Sequence, residues 1–163
     1  MEAIQDPAAD PARSSAQTPD ELARRAEHLH RMLAFEAANA TLDAAIRGHI
    51  RAGQLPEAAL AARRLAEMLH AQRDYRGAHT MERRAWHLDE GVRALEDAAD
   101  VWEFDREVAA VHLTVARERF VASGFDEAVA IAADALVECG DVVIDLPRLE
   151  FESEEPPEPR FRD

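Results

Sequence analysis

Two stretches of this chain, Glu27-x-x-His30 and Glu67-x-x-His70, set a carboxylate and an imidazole one helical turn apart. Such pairs on two helices form half of a ferritin-like di-iron centre, which also needs a glutamate from each of two further helices. Glu36, Glu103, Glu107 and Glu118 are loose candidates for those places. A four-helix-bundle metalloprotein built on Glu27, His30, Glu67 and His70 is therefore one reading. Chance weighs against it, since a chain with these numbers of glutamate and histidine yields about one such pair at random. Both pairs also flank their apolar stripes rather than standing at the centre of them. The leading expectation is no metal and no cofactor.

The other chemistry-bearing residues lead to quieter readings. His112 lies between Val108 and Val115 on an apolar face, where a neutral, hydrogen-bonded packing residue is expected. His28, His49, His79 and His87 fall on polar faces without metal-ligand spacing. Cys139, the single cysteine, has no partnered base in view. The sequence contains no glycine-rich phosphate loop, no serine in a strained-turn motif and no clustered cysteine pair, which argues against the common catalytic classes. The expectation is a non-enzyme.

The elements that position these residues follow from composition and spacing. Nineteen basic residues, all arginine, stand against 33 acids, for a net charge of −14. That balance opposes general nucleic-acid binding, which needs a basic footprint, and suits a basic partner. No apolar run approaches the length of a membrane span, and the start carries neither the basic nor the apolar region of a signal peptide. A cytoplasmic, non-membrane setting is expected, where a lone thiol stays reduced.

Residues 1–18 are read as a disordered arm, because Pro7, Pro11, Ser14 and Ser15 occur there with almost no large apolar side chains. Thr18-Pro19-Asp20-Glu21 then opens a helix expected over 19–37, followed by a break at Asn39-Ala40-Thr41. A second helix carries Leu42, Ile46 and Ile50 and ends at Gly53. A third runs from Leu55 to about Gln72, and a fourth opens at Tyr75. Whether 92–104 extends the fourth or stands alone is open at this point, with Gly91 a weak spot. A fifth helix runs through Val108 to Phe120 and ends at Ser123-Gly124; a sixth opens at Phe125. After Gly140 a β-branched run predicts an extended segment over 141–152, then a disordered acidic, proline-rich tail over 153–163.

Self-comparison adds a repeat. Asp74-Tyr75-Arg76-Gly77-Ala78 matches Gly124-Phe125-Asp126-Glu127-Ala128 at a shift of fifty, which also aligns Leu65 with Val115 and Ala66 with Ala116. Gly53-Gln54-Leu55-Pro56-Glu57-Ala58 is a third copy of the turn. This pattern resembles the tetratricopeptide repeat, in which an aromatic plugs the end of a helical hairpin and small residues let its helices touch. The resemblance implies an all-α fold: a right-handed stack of about three antiparallel hairpins over 19–140, with units at 59–92 and 109–142 and a degenerate first unit at 20–52. His112 and Arg119 depart from the repeat, and so does the missing closing proline. A plain antiparallel bundle is the competing architecture.

The resemblance further implies a peptide-binding groove lined by the first helix of each hairpin. Its positions here are Arg63, Glu67, His70, Leu113, Arg117 and Phe120. Their expected occupant is a protein or peptide partner, with the acidic stretch 150–158 as an internal competitor for Arg63 and Arg117. The extended segment 141–152 is a second expected contact, as a cap on the last helix or a strand added to another chain. A structural subunit that self-associates into a homo-oligomer is the third class of reading.

Overall fold

The computed structural model describes residues 17–140. Six helices make up that span: α1 (Pro19–Arg31), α2 (Phe35–Arg51), α3 (Leu55–Ala71), α4 (Tyr75–Val101), α5 (Arg106–Ser123) and α6 (Asp126–Cys139). No strand occurs among the described residues, and no helix there is long and apolar enough to cross a membrane. The expected arm up to residue 16, the extended segment from residue 141 and the acidic tail lie outside the described residues.

The start of α1 follows its sequence signature. Thr18 Oγ1 accepts from the Glu21 backbone N–H, and the Glu21 carboxylate accepts from the Thr18 N–H, a reciprocal capping box with Pro19 in the first turn. The end of α1 differs from expectation. The helix stops at Arg31 instead of 37, and Asn39-Ala40-Thr41 lies inside α2. Asparagine is a poor helix former, but here its amide exchanges two 3.0 Å hydrogen bonds with that of Gln72 at the end of α3.

One turn geometry ends the first three helices. Leu33, Gly53 and Arg73, spaced by twenty, all have positive φ, at 59°, 73° and 64°. In each turn that residue's N–H bonds the carbonyl three back, and the next N–H bonds the carbonyl five back: Leu33 to His30 and Ala34 to Leu29, Gly53 to Ile50 and Gln54 to His49, Arg73 to His70 and Asp74 to Leu69. This is the Schellman closure, which favours glycine at the left-handed position. Only the middle turn has glycine there, which is why the first turn is hidden from a reading that looks for glycine. A side chain in the left-handed region costs about 1–2 kcal/mol. Part of that is offset by the larger unfolded-state entropy of glycine, roughly 0.5–1 kcal/mol. Arg73→Gly is therefore expected to raise stability by up to about 1 kcal/mol, read as a higher denaturant midpoint with an unchanged slope.

Alanine fills most of the helix interfaces. Ala26, Ala45, Ala58, Ala62, Ala66, Ala85, Ala116, Ala128 and Ala132 are all buried, so neighbouring backbones approach closely. The large apolar side chains that are fully buried are few among the described residues: Leu42, Ile46, Ile50, Leu88, Phe120 and Phe125. α4 continues unbroken past Gly91 to Val101 because that glycine receives the Phe120 ring from α5; a methyl group built there would overlap Phe120. Asp105 then restarts the chain, its carboxylate accepting from the backbone N–H groups of Glu107 and Val108 at 3.1 Å.

Each helix packs on the next in the chain, and α2 also meets α6. There Arg47 Nη1 donates to Glu127 Oε2 at 3.0 Å while Arg47 Nε donates to Asp43 at 3.0 Å, and the Arg47 guanidinium lies 5.8 Å from the Phe125 ring centre. In an open repeat stack each unit touches only its neighbours. This contact joins the first expected unit to the last.

Candidate functional site

A cleft of about 350 Å³ lies between α1 and α3, lined by Glu27, His30, Arg64, Glu67, Met68 and Ala71. Both helices reach it with the same local sequence. At a shift of forty, Arg24-x-Ala26-Glu27-x-Leu29-His30 repeats as Arg64-x-Ala66-Glu67-x-Leu69-His70, and Phe35 aligns with Tyr75, Ala38 with Ala78, and Ala45 with Ala85. Ala26 and Ala66 go into the core, which leaves the residue after each of them at the cleft. Comparison at a shift of fifty misses this match, and the shift of forty is the signal that would have found the cleft.

The two imidazoles are held by the turns that follow them. The His30 ring lies 5.3 Å from Phe35, tilted by 47°, and the His70 ring meets Tyr75 edge-on at 5.1 Å. The Gln72 side-chain N–H points at His30 Nδ1 across 3.4 Å, which links the cleft to the Asn39–Gln72 pair. Glu27 is ion-paired with Arg64 across the cleft. Three of the four residues of the metal alternative, Glu27, His30 and Glu67, therefore share the cleft, while His70 packs on Tyr75. Among the described residues no three histidine, cysteine, aspartate or glutamate side chains come together as a metal-binding group.

The six expected groove residues divide. Glu67 lines the cleft and is exposed. Arg63, one turn earlier, is ion-paired with Asp89 on α4. His70 ends α3 against Tyr75, and Arg117 is exposed on α5. Leu113 and Phe120 are corrected: both are buried, Phe120 completely, because α5 is packed between α4 and α6 and has apolar residues on both sides. Phe120 belongs to the core and is out of reach of a surface ligand, whereas Leu113, also in the core, only edges the floor of a cleft between α4, α5 and α6 and does not line a groove with Arg63 and Glu67. The pairing of Arg63 also removes the free guanidinium that an acidic ligand would need there.

Other expectations are sharpened. His49 does not lie on a polar face; it is buried, its Nδ1 lies 2.9 Å from the Gln54 side-chain oxygen, and its Nε2 faces Asp20 at 3.8 Å. His87 is half-buried. Burial first, then the Arg119 and Arg83 guanidiniums, pull its pKa below the ordinary value, so it is neutral at pH 7. His112 faces Asp97 at 3.9 Å. The Cys139 thiol is buried and donates to the Arg106 carbonyl at 3.2 Å, a packing role.

The α2–α6 contact carries a pH dependence. The Glu127 carboxyl is held below its ordinary value of 4.5, first by its own backbone N–H; burial pushes it up, and Arg47 adds to the downward pull. A depressed folded-state value means that the contribution is complete above the unfolded pKa and is lost as pH falls through the folded one. Glu127→Gln should therefore differ from the parent by a constant amount near neutrality. The difference should shrink below about pH 4.5, as followed by denaturant titration at a series of pH values.

No protein-family model, curated protein or solved structure matches the chain. The fold and site thus define an all-helical domain with a charged cleft between its first and third helices.

Proposed function

We propose that this domain is a non-enzymatic protein-recognition module, tetratricopeptide-like in the resemblance of its turns, that holds a partner segment bearing a basic side chain in the α1/α3 cleft. One observation carries the reading. Glu67 has no hydrogen bond or ion pair with any described residue, whereas Arg63 and Arg64 beside it are both paired to carboxylates. The cleft therefore offers an unmatched acid with apolar Met68 and Ala71 next to it, and the net charge of −14 draws a cationic partner toward it. A lysine or arginine with its aliphatic stem against Met68 satisfies both parts of the surface. A cytoplasmic setting belongs to the same proposal.

The test is selection of binders from a displayed library of random 12-residue peptides. The expected result is a consensus with a basic residue, whose affinity falls about tenfold or more for Glu67→Gln and is unchanged for Arg117→Glu on α5. Binders that ignore Glu67, or a consensus rich in acids, would overturn the reading.

A further inference from the structure

A second cleft, of about 370 Å³, opens between α4, α5 and α6. Its lining is mostly apolar, from Leu95, Ala98, Ala99, Trp102, Leu113 and Ala135, with Glu103 and Glu138 at the edge. It sits on the smaller of the two core clusters, where Ala98, Ala109, Ala110, Leu113 and Cys139 are buried. Two large apolar side chains near it in sequence are left in water: Phe104, 89% exposed, and Val137, 79% exposed. Unlike the α1/α3 cleft, this surface has no charged pair across it among the described residues.

The chain itself leads to an occupant. Glu138 lines the cleft and Cys139 lies in the cluster beneath it, so the described chain ends at the cleft's edge with Gly140, whose φ is +94°. The next residues are Asp141-Val142-Val143-Ile144-Asp145-Leu146, the densest apolar run after Gly140. From Leu95 to Trp102 the cleft follows about 12 Å of helix, and five extended residues span roughly 17 Å. The distance from Gly140 to Val142 is two residues, about 7 Å at most. The run is therefore long enough, and close enough, to lie along the cleft without any slack loop.

Charge selects which part of the C-terminal stretch fits. The cleft edge carries two acids, and the Arg106 guanidinium is stacked on Trp102 at 4.1 Å. The stretch beyond residue 150, with Glu150, Glu152, Glu154 and Glu155, would meet that edge with like charge. The 142–146 run has one acid among four apolar residues.

We infer that residues 142–146 of the same chain occupy the α4/α5/α6 cleft and cover Trp102. This inference does not depend on the α1/α3 reading, and either can fail alone. A second copy of the chain, or a separate protein, are the other occupants that the test distinguishes.

The test uses the full-length chain carrying Trp86→Phe, which leaves Trp102 as the one tryptophan. Acrylamide quenching is compared in this protein and in the same protein with Val143→Asp or Ile144→Asp. Two positions are used because successive side chains of an extended segment point to opposite sides. At least one substitution should raise the quenching constant of Trp102 about twofold and shift its emission to the red, with the helical circular dichroism unchanged. Equal quenching in all three proteins would overturn the inference. So would protection of Trp102 that is lost on dilution in step with a dimer dissociating, which would assign the cleft to a second copy. Because the substitutions lie outside the helical core, a loss of helix with either one would also contradict the placement.

Discussion

Phe125→Ala should cost the fold about 3–5 kcal/mol, a large fraction of the roughly 5–15 kcal/mol that stabilises a typical domain. Phe125 is completely buried at the junction of α5 and α6. The Arg84 guanidinium lies over its ring at 4.1 Å while Nε and Nη2 of the same arginine donate to the carbonyls of Ser123 and Gly124, at 2.7 and 3.1 Å. Removing the ring opens a cavity and strips the packing from an arginine that closes the end of α5. The comparison with Tyr75 is the control. It holds the matching place in the turn motif, yet it is 60% exposed and leans on His70. Tyr75→Ala should stay within about 0.5–1 kcal/mol. Urea titrations of the two variants against the parent check both values, and equal losses would mean that the shared motif, not burial, sets the energy.

The second large effect concerns Gly91, where two forces oppose each other. Alanine is the better helix former by about 1 kcal/mol, so an exposed glycine in mid-helix would gain from the change. Here the added methyl group would overlap the buried Phe120 ring. Overpacking of this kind costs about 1–3 kcal/mol. The expected net result of Gly91→Ala is destabilisation by about 1–2 kcal/mol. Phe120→Leu alone should also destabilise, by leaving a void. Combined, the two substitutions should lose less than the sum of the separate losses, because the smaller side chain makes room for the methyl group. Additive losses would show that the overlap is relieved elsewhere.

These cases mark where the sequence is readable. The helix start at Thr18-Pro19-Asp20-Glu21, the helix ends at Gly53 and Gly124, and the extent of α3 are written in residue types with strong local preferences, and the structure follows them. The all-helical class follows as well. The turn at Leu33 was not legible, because a leucine in the left-handed region gives no local signal and is held there by the hydrogen bonds of the closed turn. Asn39 signals a break only if its bond to Gln72, 33 residues away, is unknown. Gly91 invites the same error, since its purpose lies on α5. The groove positions Leu113 and Phe120 were misplaced because α5 has helices on two sides, and one apolar stripe cannot mark both. The Glu27 and Glu67 cleft was present in the sequence all along, as a match at forty residues.

The contact between α2 and α6 also bears on the order in which the molecule assembles. Nearly all the helix packing joins consecutive helices, whose ends meet across short turns and cost little entropy to bring together. Arg47 and Glu127 are 80 residues apart and depend on every intervening helix being in place. Their meeting is therefore expected after the rate-limiting barrier to folding has been crossed. Weakening it would leave the refolding rate almost untouched and quicken unfolding, so that this one contact governs how long a folded molecule persists more than how fast it forms.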